Sequence, residues 1–325
     1  MKQKSMLSAV AAALLPTVFA APVAAQEYPV KPVRFVIAFS PAGPSDILTR
    51  IVGSKLAESM GQVFIFDNRP GAGGNLAGEI VARAPPDGYT LLMGNNSILA
   101  TNASLYRNMS FDPVKDLAPV ALLASQPNIL VVHPSLPVRS VRELIAFAKA
   151  HPDQLNYASS GSGAAAHLAA ELFKSMAGVQ MVHIPYKGAS PALIDMLAGQ
   201  CQVMFATALS VQPYLQSNRL RPLAVSTAKR ARMMPNLPTV AEAGVPGFEA
   251  TTWHGIVSTA GTPPAVINKL NAEINKVLKL PDVNATLTRQ GAEVLGGTPQ
   301  EFAAYIKAEI PKWAKVVKAS GARPD

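Results

Sequence analysis

Cysteine is nearly absent from this chain, and its scarcity limits both covalent and metal chemistry. Cys201 is the only cysteine among the 325 residues, so no disulfide bond can form within the chain. A lone thiol is a poor metal site, and the histidines and acidic residues do not cluster at the spacing of metal ligands. We therefore expect no metal site and no cofactor.

Charged and aromatic residues are also scarce. They form 15% and 6% of the chain, while the formal net charge is +9 at pH 7. Proteins that bind nucleic acids cluster their basic side chains, and those that bind single strands add aromatic platforms. Here only residues 228–232 are dense in basic side chains. We expect no nucleic-acid partner and interpret the charge as a solvated surface that mildly favours anionic ligands.

Long apolar runs are missing after the N-terminus. The first 25 residues contain Lys2, Lys4, an apolar run broken by Pro16, and small residues up to Ala25. This order is typical of a secretory signal peptide, so we predict cleavage after Ala25. No later run reaches the roughly 20 apolar residues that span a bilayer. We expect a free periplasmic protein, and its remaining length fits two domains of about 150 residues.

The hydrophobic pattern alternates between strand and helix in the first part of the chain. Strands are predicted at 33–39, 62–68 and 89–94, and helices at 46–61 and 75–84. A βαβαβ order of this kind predicts a parallel sheet with right-handed crossovers.

The same pattern starts again at Ile129 and indicates a second α/β unit, followed by a helical tail. Strands are predicted at 129–134, 155–159, 179–186, 201–207 and 221–227, and helices at 140–152, 164–173, 191–198, 265–280 and 299–317. The fold class is therefore α/β, with two such units in tandem.

The junction at residues 155–173 joins a strand, a set of small residues and an alanine-rich helix, and three mechanisms use such a junction. The first is a nucleophile elbow with Ser162 as nucleophile. An elbow needs G-x-S-x-G, but Ser160 occupies the position of its first glycine. His254 could be a distant base, and no acid partner is marked. Hydrolysis fits poorly.

The second mechanism is a dinucleotide site. Gly161, Gly163 and Ala166 match G-x-G-x-x-A between a strand and a helix. No carboxylate follows the next strand to hold a ribose, although Lys187 could meet a 2′-phosphate. A nicotinamide cofactor is also not expected in a secreted chain.

The third mechanism is a plain anion site, in which the free N–H groups of a helix start hold a negative group. Residues 159–163 supply small side chains and hydroxyls at one helix start, and residues 40–46 form a second such junction in the first unit. Two helix starts, one in each domain, describe a cleft that binds an anion from both sides.

Four stretches of the sequence now carry a resemblance to a known family. Residues 69–92, 183–200, 237–249 and 253–264 resemble, in this order, the extracytoplasmic solute receptors of tripartite tricarboxylate transporters, the Bug or TctC family. The resemblance runs from about Tyr28 to the C-terminus.

This resemblance implies a type II periplasmic binding protein fold, in which two α/β domains enclose a ligand cleft. Domain 1 is expected at residues 26–125 and 253–325, and domain 2 at residues 126–252. In that family a ligand carboxylate lies in the cleft, where backbone groups and ordered waters hold it.

The resemblance also assigns ligand contacts to particular loops. The expected contacts are Ser40, Pro41, Ala42, Gly43, Ser45, Asp46, Asn95, Asn96, Ser97, Ser159, Ser160, Gly161 and Gly163. Four further positions are expected to face the cleft, namely His167, Tyr186, Ala206 and Thr207. Asp46 has an alternative role as a cap or dipole partner of its helix, and His167 could lie on a packed or solvated face instead.

This chain departs from the family pattern at three places. Ala42 replaces one of two glycines, and Cys201 and Gln202 stand where many relatives carry a valine and an acid. Ala206, followed by Thr207, occupies a position where an aspartate is frequent. Because an acid there would pair with a ligand ammonium, its loss favours a ligand that is purely an acid.

Several other residues have a structural interpretation. We expect Lys187 to be solvated, residues 71–75 to allow close packing of helix on strand, and Trp253 and His254 to pack at the hinge. None of these residues is assigned to the ligand.

The sequence thus predicts a non-enzymatic, monomeric periplasmic receptor for a small organic carboxylate, either a di- or tricarboxylate or an aromatic acid. It would present the bound acid to membrane subunits of a tripartite transporter. Two alternatives stay open: a secreted hydrolase that uses Ser162 or His167, and a sensor subunit without a transport role.

Overall fold

The computed structural model describes residues 28–231, 233–289, 291–320 and 322–324. The predicted signal peptide, residues 1–25, lies outside the described residues. The strands are β1 Val33–Ile37, β2 Phe64–Asn68, β3 Thr90–Asn95, β4 Leu117–Val132, β5 Asn156–Ser159, β6 Val182–Pro185, β7 Val203–Thr207, β8 Arg221–Val225, β9 Thr251–Thr259 and β10 Glu293–Val294. The helices are α1 Pro44–Met60, α2 Asn75–Ala82, α3 Asn102–Leu105, α4 Val141–Ala150, α5 Ala165–Ala177, α6 Ala189–Leu197, α7 Ala208–Gln216, α8 Pro264–Leu278, α9 Pro281–Arg289 and α10 Pro299–Ser320.

The strands join in one curled sheet with the order β2-β1-β3-β9-β4-β7-β5-β6, and β8 and β10 also pair with β4. β1 is parallel to β2 and β3, and β5 is parallel to β6 and β7. These are the two α/β units that the hydrophobic pattern predicts. The predicted α/β fold class is therefore confirmed.

Strand β4 passes from one unit to the other. Residues 117–127 pair with β9, whereas residues 128–132 pair with β7. We call residues 28–127 and 251–324 the first lobe and residues 128–250 the second lobe. The chain thus crosses between the lobes twice, in β4 and at the start of β9. The domain limits given from the sequence stay a prediction.

The pattern analysis missed most of β4 and all of β9, which together form the middle of the sheet. β4 contains Pro119 and Pro127, and proline cannot donate to a β ladder, so it argues against a central strand. The structure accommodates the first proline with shifts in register on the β9 side, between Pro119 and Ala121 and between Leu122 and Ala124. Such irregularities cannot be read from local hydrophobicity. Helix α7 was missed as well.

Helix α10 is attached to the crossing between the lobes. The indole N–H groups of Trp253 in β9 and Trp313 in α10 both donate to Oε2 of Glu309, each at 2.8 Å. The Trp253 ring also packs edge-on against Phe302, with 5.9 Å between the ring centroids. Trp253 therefore has the packing role that the sequence analysis expected.

Across the described residues, we find no helix that combines the length and apolar character needed to cross a membrane. Within the same residues, no group of three or more His, Cys, Asp or Glu side chains is arranged to hold a metal ion.

Candidate ligand-binding site

A small cavity lies between the two lobes, with about 30 Å³ of space for the centres of water-sized molecules. The first lobe contributes Phe39, Pro44, Ser45, Asn95, Thr252 and His254 to its lining, and the second lobe contributes Asn128, Ser160, Ala165, Ala166, Ala189, Met204, Phe205, Ala206 and Thr207. No Lys, Arg, Asp or Glu is among these described lining residues. The wall is therefore made of small, apolar and uncharged polar side chains.

Four helices begin at this inner cavity. Pro44 starts α1 in the first lobe, while Ala165 starts α5, Ala189 starts α6 and Thr207 caps α7 in the second lobe. The first turn of a helix has N–H groups without helical partners and carries a partial positive charge. Four such termini create an environment that stabilises an anion without any cationic side chain.

The loop before α1 is held by Asp46. Its Oδ2 accepts the N–H of Ala42 and the Nε–H of Arg50, each at 2.9 Å, and its Oδ1 accepts from Asn68 at 3.1 Å. Burial opposes ionisation, but the hydrogen bonds from Arg50, Ala42 and Asn68 outweigh it and lower the pKa of Asp46 below its ordinary value. Ala42 has a φ of +60°, a backbone conformation that suits the glycine expected from the family pattern. Asp46 thus fixes the shape of this loop.

The loop before α5 is fixed by a hydroxyl and an imidazole. The Gly161 N–H donates to Ser159 Oγ at 3.1 Å, and the Gly163 N–H donates to His167 Nδ1 at 3.0 Å. Ser159 Oγ also lies 2.6 Å from Nε2 of His183, whose ring stacks on His167 with 4.2 Å between the centroids. His167 therefore supports the loop from behind.

The floor of the inner cavity is a set of polar side chains on the central strands. Asn95 in β3 and His254 in β9 are register partners. Asn95 Oδ1 accepts the N–H groups of Ser97 and Ile98. Thr252 donates to Asn128 Oδ1 at 3.1 Å and joins the two lobes at their crossing. These hydrogen bonds fix the positions of Asn95, Asn128 and Thr252 in the floor.

His254 is the most buried titratable group of the floor, with 1% of its surface exposed. Its Nε2 lies 3.1 Å from Oγ of Ser45, in the first turn of α1. Burial lowers the pKa of His254 to about 3, because the charged imidazolium would lose its hydration. The ring is therefore neutral at physiological pH.

The lobes touch each other on both sides of the inner cavity. Ser40 N–H donates to the Lys187 carbonyl at 3.2 Å, and the Ser190 hydroxyl donates to the Pro41 carbonyl at 2.8 Å. On the other side, the Tyr106 hydroxyl donates to the carbonyl of Ser162 at 3.2 Å. This arrangement is a closed cleft.

Glycines allow this close approach. A Cβ on Gly73 would lie 2.4 Å from the Ser162 carbonyl oxygen, and a Cβ on Gly188 would lie 2.1 Å from Ser40 Oγ. A Cβ on Gly163 would lie 2.6 Å from Asn102 Oδ1. In each case the obstructed atom belongs to the opposite lobe.

A second, outer cavity, with about 240 Å³ of space for the centres of water-sized molecules, adjoins the inner one and shares Phe39 and Ser160 with it. Its lining residues are Phe39, Gly71, Ala72, Gly73, Gly74, Tyr106, Ser160, Gly161, Ser162, Pro185, Tyr186 and Lys187. The Tyr186 hydroxyl donates to Asp195 Oδ2 at 2.6 Å, so its polar end points into the second lobe.

The structure separates the predicted ligand contacts into three groups. Ser45, Asn95, Ser160, Ala206 and Thr207 line the inner cavity, and Ser160, Gly161 and Tyr186 line the outer one. The residues that line neither cavity are Ser40, Pro41, Ala42, Gly43, Asp46, Asn96, Ser97, Ser159, Gly163 and His167. Some members of this last group shape the loops, as Asp46 and His167 do, and Ser40 contacts the opposite lobe.

Sequence reasoning predicted Asn95 as a ligand contact but missed the rest of the floor of the inner cavity. Asn128 was not assigned to the ligand, and His254 was interpreted as hinge packing. Thr252 and His254 lie two positions apart in one strand, which places them on the same face of the sheet. This alternation was a usable signal, but β9 had not been predicted as a strand.

The comparisons with known proteins agree with this geometry. Residues 48–322 match the family described as tripartite tricarboxylate transporter family receptor. BugT of Bordetella pertussis is 36% identical over 305 residues, which cover 94% of each chain.

Two solved structures from Rhodopseudomonas palustris are also similar. Rpa4515 with adipate is 41% identical, with a TM-score of 0.89, and the match covers 92% of this chain and all of that one. MatC with bound malate is 32% identical, with a TM-score of 0.86 over 89% of this chain and all of that one. The resemblance stated from the sequence is therefore confirmed, and the chain belongs to the tripartite tricarboxylate transporter family of receptors.

Proposed function

We propose that this protein is a periplasmic receptor that captures a small organic carboxylate in the inner cavity and carries it to a tripartite tricarboxylate transporter. The main support for this proposal is that four helices begin at a cavity whose described lining residues include no charged side chain. Such a site favours an anion by helix dipoles and free N–H groups. The adipate and malate bound by two structural neighbours support the same ligand class.

The lining favours an acid over an amino acid. Ala206, 1% exposed, lies where an aspartate would pair with an ammonium group, and the described lining contains no carboxylate. A ligand ammonium would then lie among helix starts that repel it. A purely acidic ligand, either a di- or tricarboxylate or an aromatic acid, suits the site better.

The proposed role is binding without catalysis. Family members and structural neighbours are substrate-binding receptors. Ser162 and His167, the residues of the hydrolase alternative, do not line the inner cavity. The protein would act as a monomer in the periplasm after cleavage of its signal peptide, and membrane subunits would recognise the closed form.

A thermal-shift screen tests the ligand class. The panel contains adipate, malate, succinate, citrate, benzoate, aspartate and glutamate, and we expect at least one simple acid to raise the melting temperature more than either amino acid. The binding acid is then incubated with the protein and measured by mass spectrometry. Stoichiometric binding of an unchanged acid supports the receptor, whereas consumption of the acid contradicts it. Loss of uptake after deletion of the gene would separate transport from a sensor role.

A further inference from the structure

One polar atom on the floor of the inner cavity has no partner. His254 Nδ1 is buried and, among the described residues, has no hydrogen-bond partner, while Nε2 of the same ring lies 3.1 Å from Ser45 Oγ. Buried polar atoms in proteins are nearly always paired with protein groups, water or ligand. His254 also lines the inner cavity. These observations point to a contact that a bound molecule completes.

We infer that His254 donates its Nδ1–H to an oxygen atom of the bound acid, and that the Ser45 hydroxyl, which can donate as well as accept, then donates to Nε2. The inference rests on the proposed function, since it concerns the same cavity. A neutral imidazole has one N–H donor and one acceptor nitrogen. A carboxylate oxygen only accepts, so the ligand requires the proton on Nδ1, and Nε2 must then accept the Ser45 hydroxyl proton.

The surroundings of the ring are consistent with this tautomer. Asn95, the register partner of His254, uses its Oδ1 to accept two backbone N–H groups. Ser45 lies in the first turn of α1, where the helix dipole disfavours a positive charge on the ring. The neutral ring thus supplies a single, fixed donor.

This donor gives the site a means of discrimination. A ligand oxygen at the floor gains a hydrogen bond from Nδ1–H, whereas a ligand ammonium or amide N–H at the same place meets a donor and gains none. A site that hydrogen-bonds one particular ligand group strongly rejects analogues without that group, because the buried protein partner is then left unpaired. His254 would therefore contribute to specificity, as would Ala206, which places no acid beside the ligand.

Two substitutions test the contacts of Nδ1 and Nε2 separately. The His254→Asn side chain places an amide near the position of Nδ1 and loses the contact with Ser45. The His254→Gln side chain reaches the position of Nε2 and keeps that contact. Calorimetry with the tightest-binding acid of the panel should show roughly a 10- to 100-fold loss for His254→Gln, since the lost hydrogen bond goes to a charged acceptor. We expect His254→Asn to bind at least tenfold more tightly than His254→Gln.

The outcomes are distinguishable. If the wild type binds none of the acids, the proposed function fails. If the wild type binds an acid and His254→Gln binds it equally well, the receptor stands and this inference fails. Melting curves show whether either variant has lost its fold. If one has, nitrogen NMR of the wild-type protein decides the inference instead.

Nitrogen NMR of the wild-type protein tests the tautomer without reference to any variant's stability. The chain has five histidines, and the His254 ring is identified by the absence of its signals in a variant or by through-bond assignment. We expect a protonated Nδ1 and an unprotonated Nε2, and a larger shift of Nδ1 than of Nε2 when the acid is added. A ring protonated on Nε2 would overturn the inference.

Discussion

Closure of the two lobes depends on glycines that face the opposite lobe, and Gly73→Ala tests this directly. The added Cβ would lie 2.4 Å from the Ser162 carbonyl oxygen and 2.8 Å from the Tyr106 hydroxyl. The obstructing carbonyl belongs to the backbone of the second lobe, so a side-chain rotation cannot relieve the contact. The lobes must stay apart by about 1 Å, given ordinary carbon–oxygen contact distances.

Gly61, which directly follows α1, provides a matched control. Gly61 has φ +66° and ψ 23°, nearly the same backbone conformation as Gly73 at φ +61° and ψ 20°. A Cβ on Gly61 meets nothing within 4 Å. Each alanine therefore adds a left-handed backbone penalty of about 1 to 2 kcal/mol to folding, but only Gly73→Ala obstructs closure.

The expected loss of affinity follows from the overpacking cost in the closed form. An extra methyl group in a packed contact costs about 1 to 3 kcal/mol, and each 1.4 kcal/mol is a factor of ten. Gly73→Ala should thus weaken ligand binding by roughly 5- to 150-fold, since apparent affinity falls with the population of the closed form. Gly61→Ala should bind as the wild type does.

Calorimetric titration of both variants measures the affinity, melting curves compare their stability, and solution scattering reports the radius of gyration with ligand. The reasoning is refuted if both variants lose stability equally and Gly73→Ala nevertheless binds and compacts like Gly61→Ala. The contact across the cleft would then not limit closure.

Three further predictions concern the same cleft. Ala206→Asp should weaken binding of a simple dicarboxylate by about 1 kcal/mol or more, because it adds like charge beside the ligand. Equal affinity by calorimetry would show that position 206 does not face the ligand. Ser162→Ala should keep affinity within about threefold, since at most one weak hydrogen bond is lost outside the inner cavity; a loss beyond tenfold would contradict our placement of the ligand. Burial lowers the pKa of His254 from 6.5 to about 3, so as the pH falls the imidazole is protonated in the unfolded chain before it is protonated in the folded one. The free energy of unfolding should therefore fall by up to about 1.4 kcal/mol per pH unit as the pH drops below 6.5 towards 3. Urea unfolding of His254→Gln should lack this pH-dependent loss of stability. If the variant shows the same pH profile as the wild type, burial of His254 is not its cause.

The sequence predicted those parts of the fold whose pattern is local. Alternating strands and helices identified both α/β units, because each buried strand and amphipathic helix shows its own periodicity. Most of β4 and all of β9 were missed because they gain their order from pairing in the middle of the sheet, and Pro119 and Pro127 argued against a strand in β4.

The candidate site was predictable in its anion-binding loops but, apart from Asn95, not in its floor. Ser45 lies in the first turn of the helix that follows β1, and Ser160 lies between β5 and α5, so both belong to strand-to-helix junctions that give a local signal. Asn128 and His254 line one cavity because β4 and β9 lie side by side in the sheet, a pairing between distant segments that no local pattern predicts. The glycines at 71–74 were expected to allow close packing of helix on strand. A Cβ on Gly74 would meet Ile98, which lies in the helical segment Ser97–Thr101, and a Cβ on Gly73 would meet the other lobe.

The central claim is that the inner cavity selects a carboxylate, and a paired titration tests it most directly. The wild-type protein is titrated by calorimetry with the acid found in the screen and with the corresponding neutral amide. We predict one-to-one binding of the acid and at least 100-fold weaker binding of the amide, because helix starts and neutral donors stabilise the negative charge. Equal binding of acid and amide, or no binding of any acid in the panel, would contradict the account.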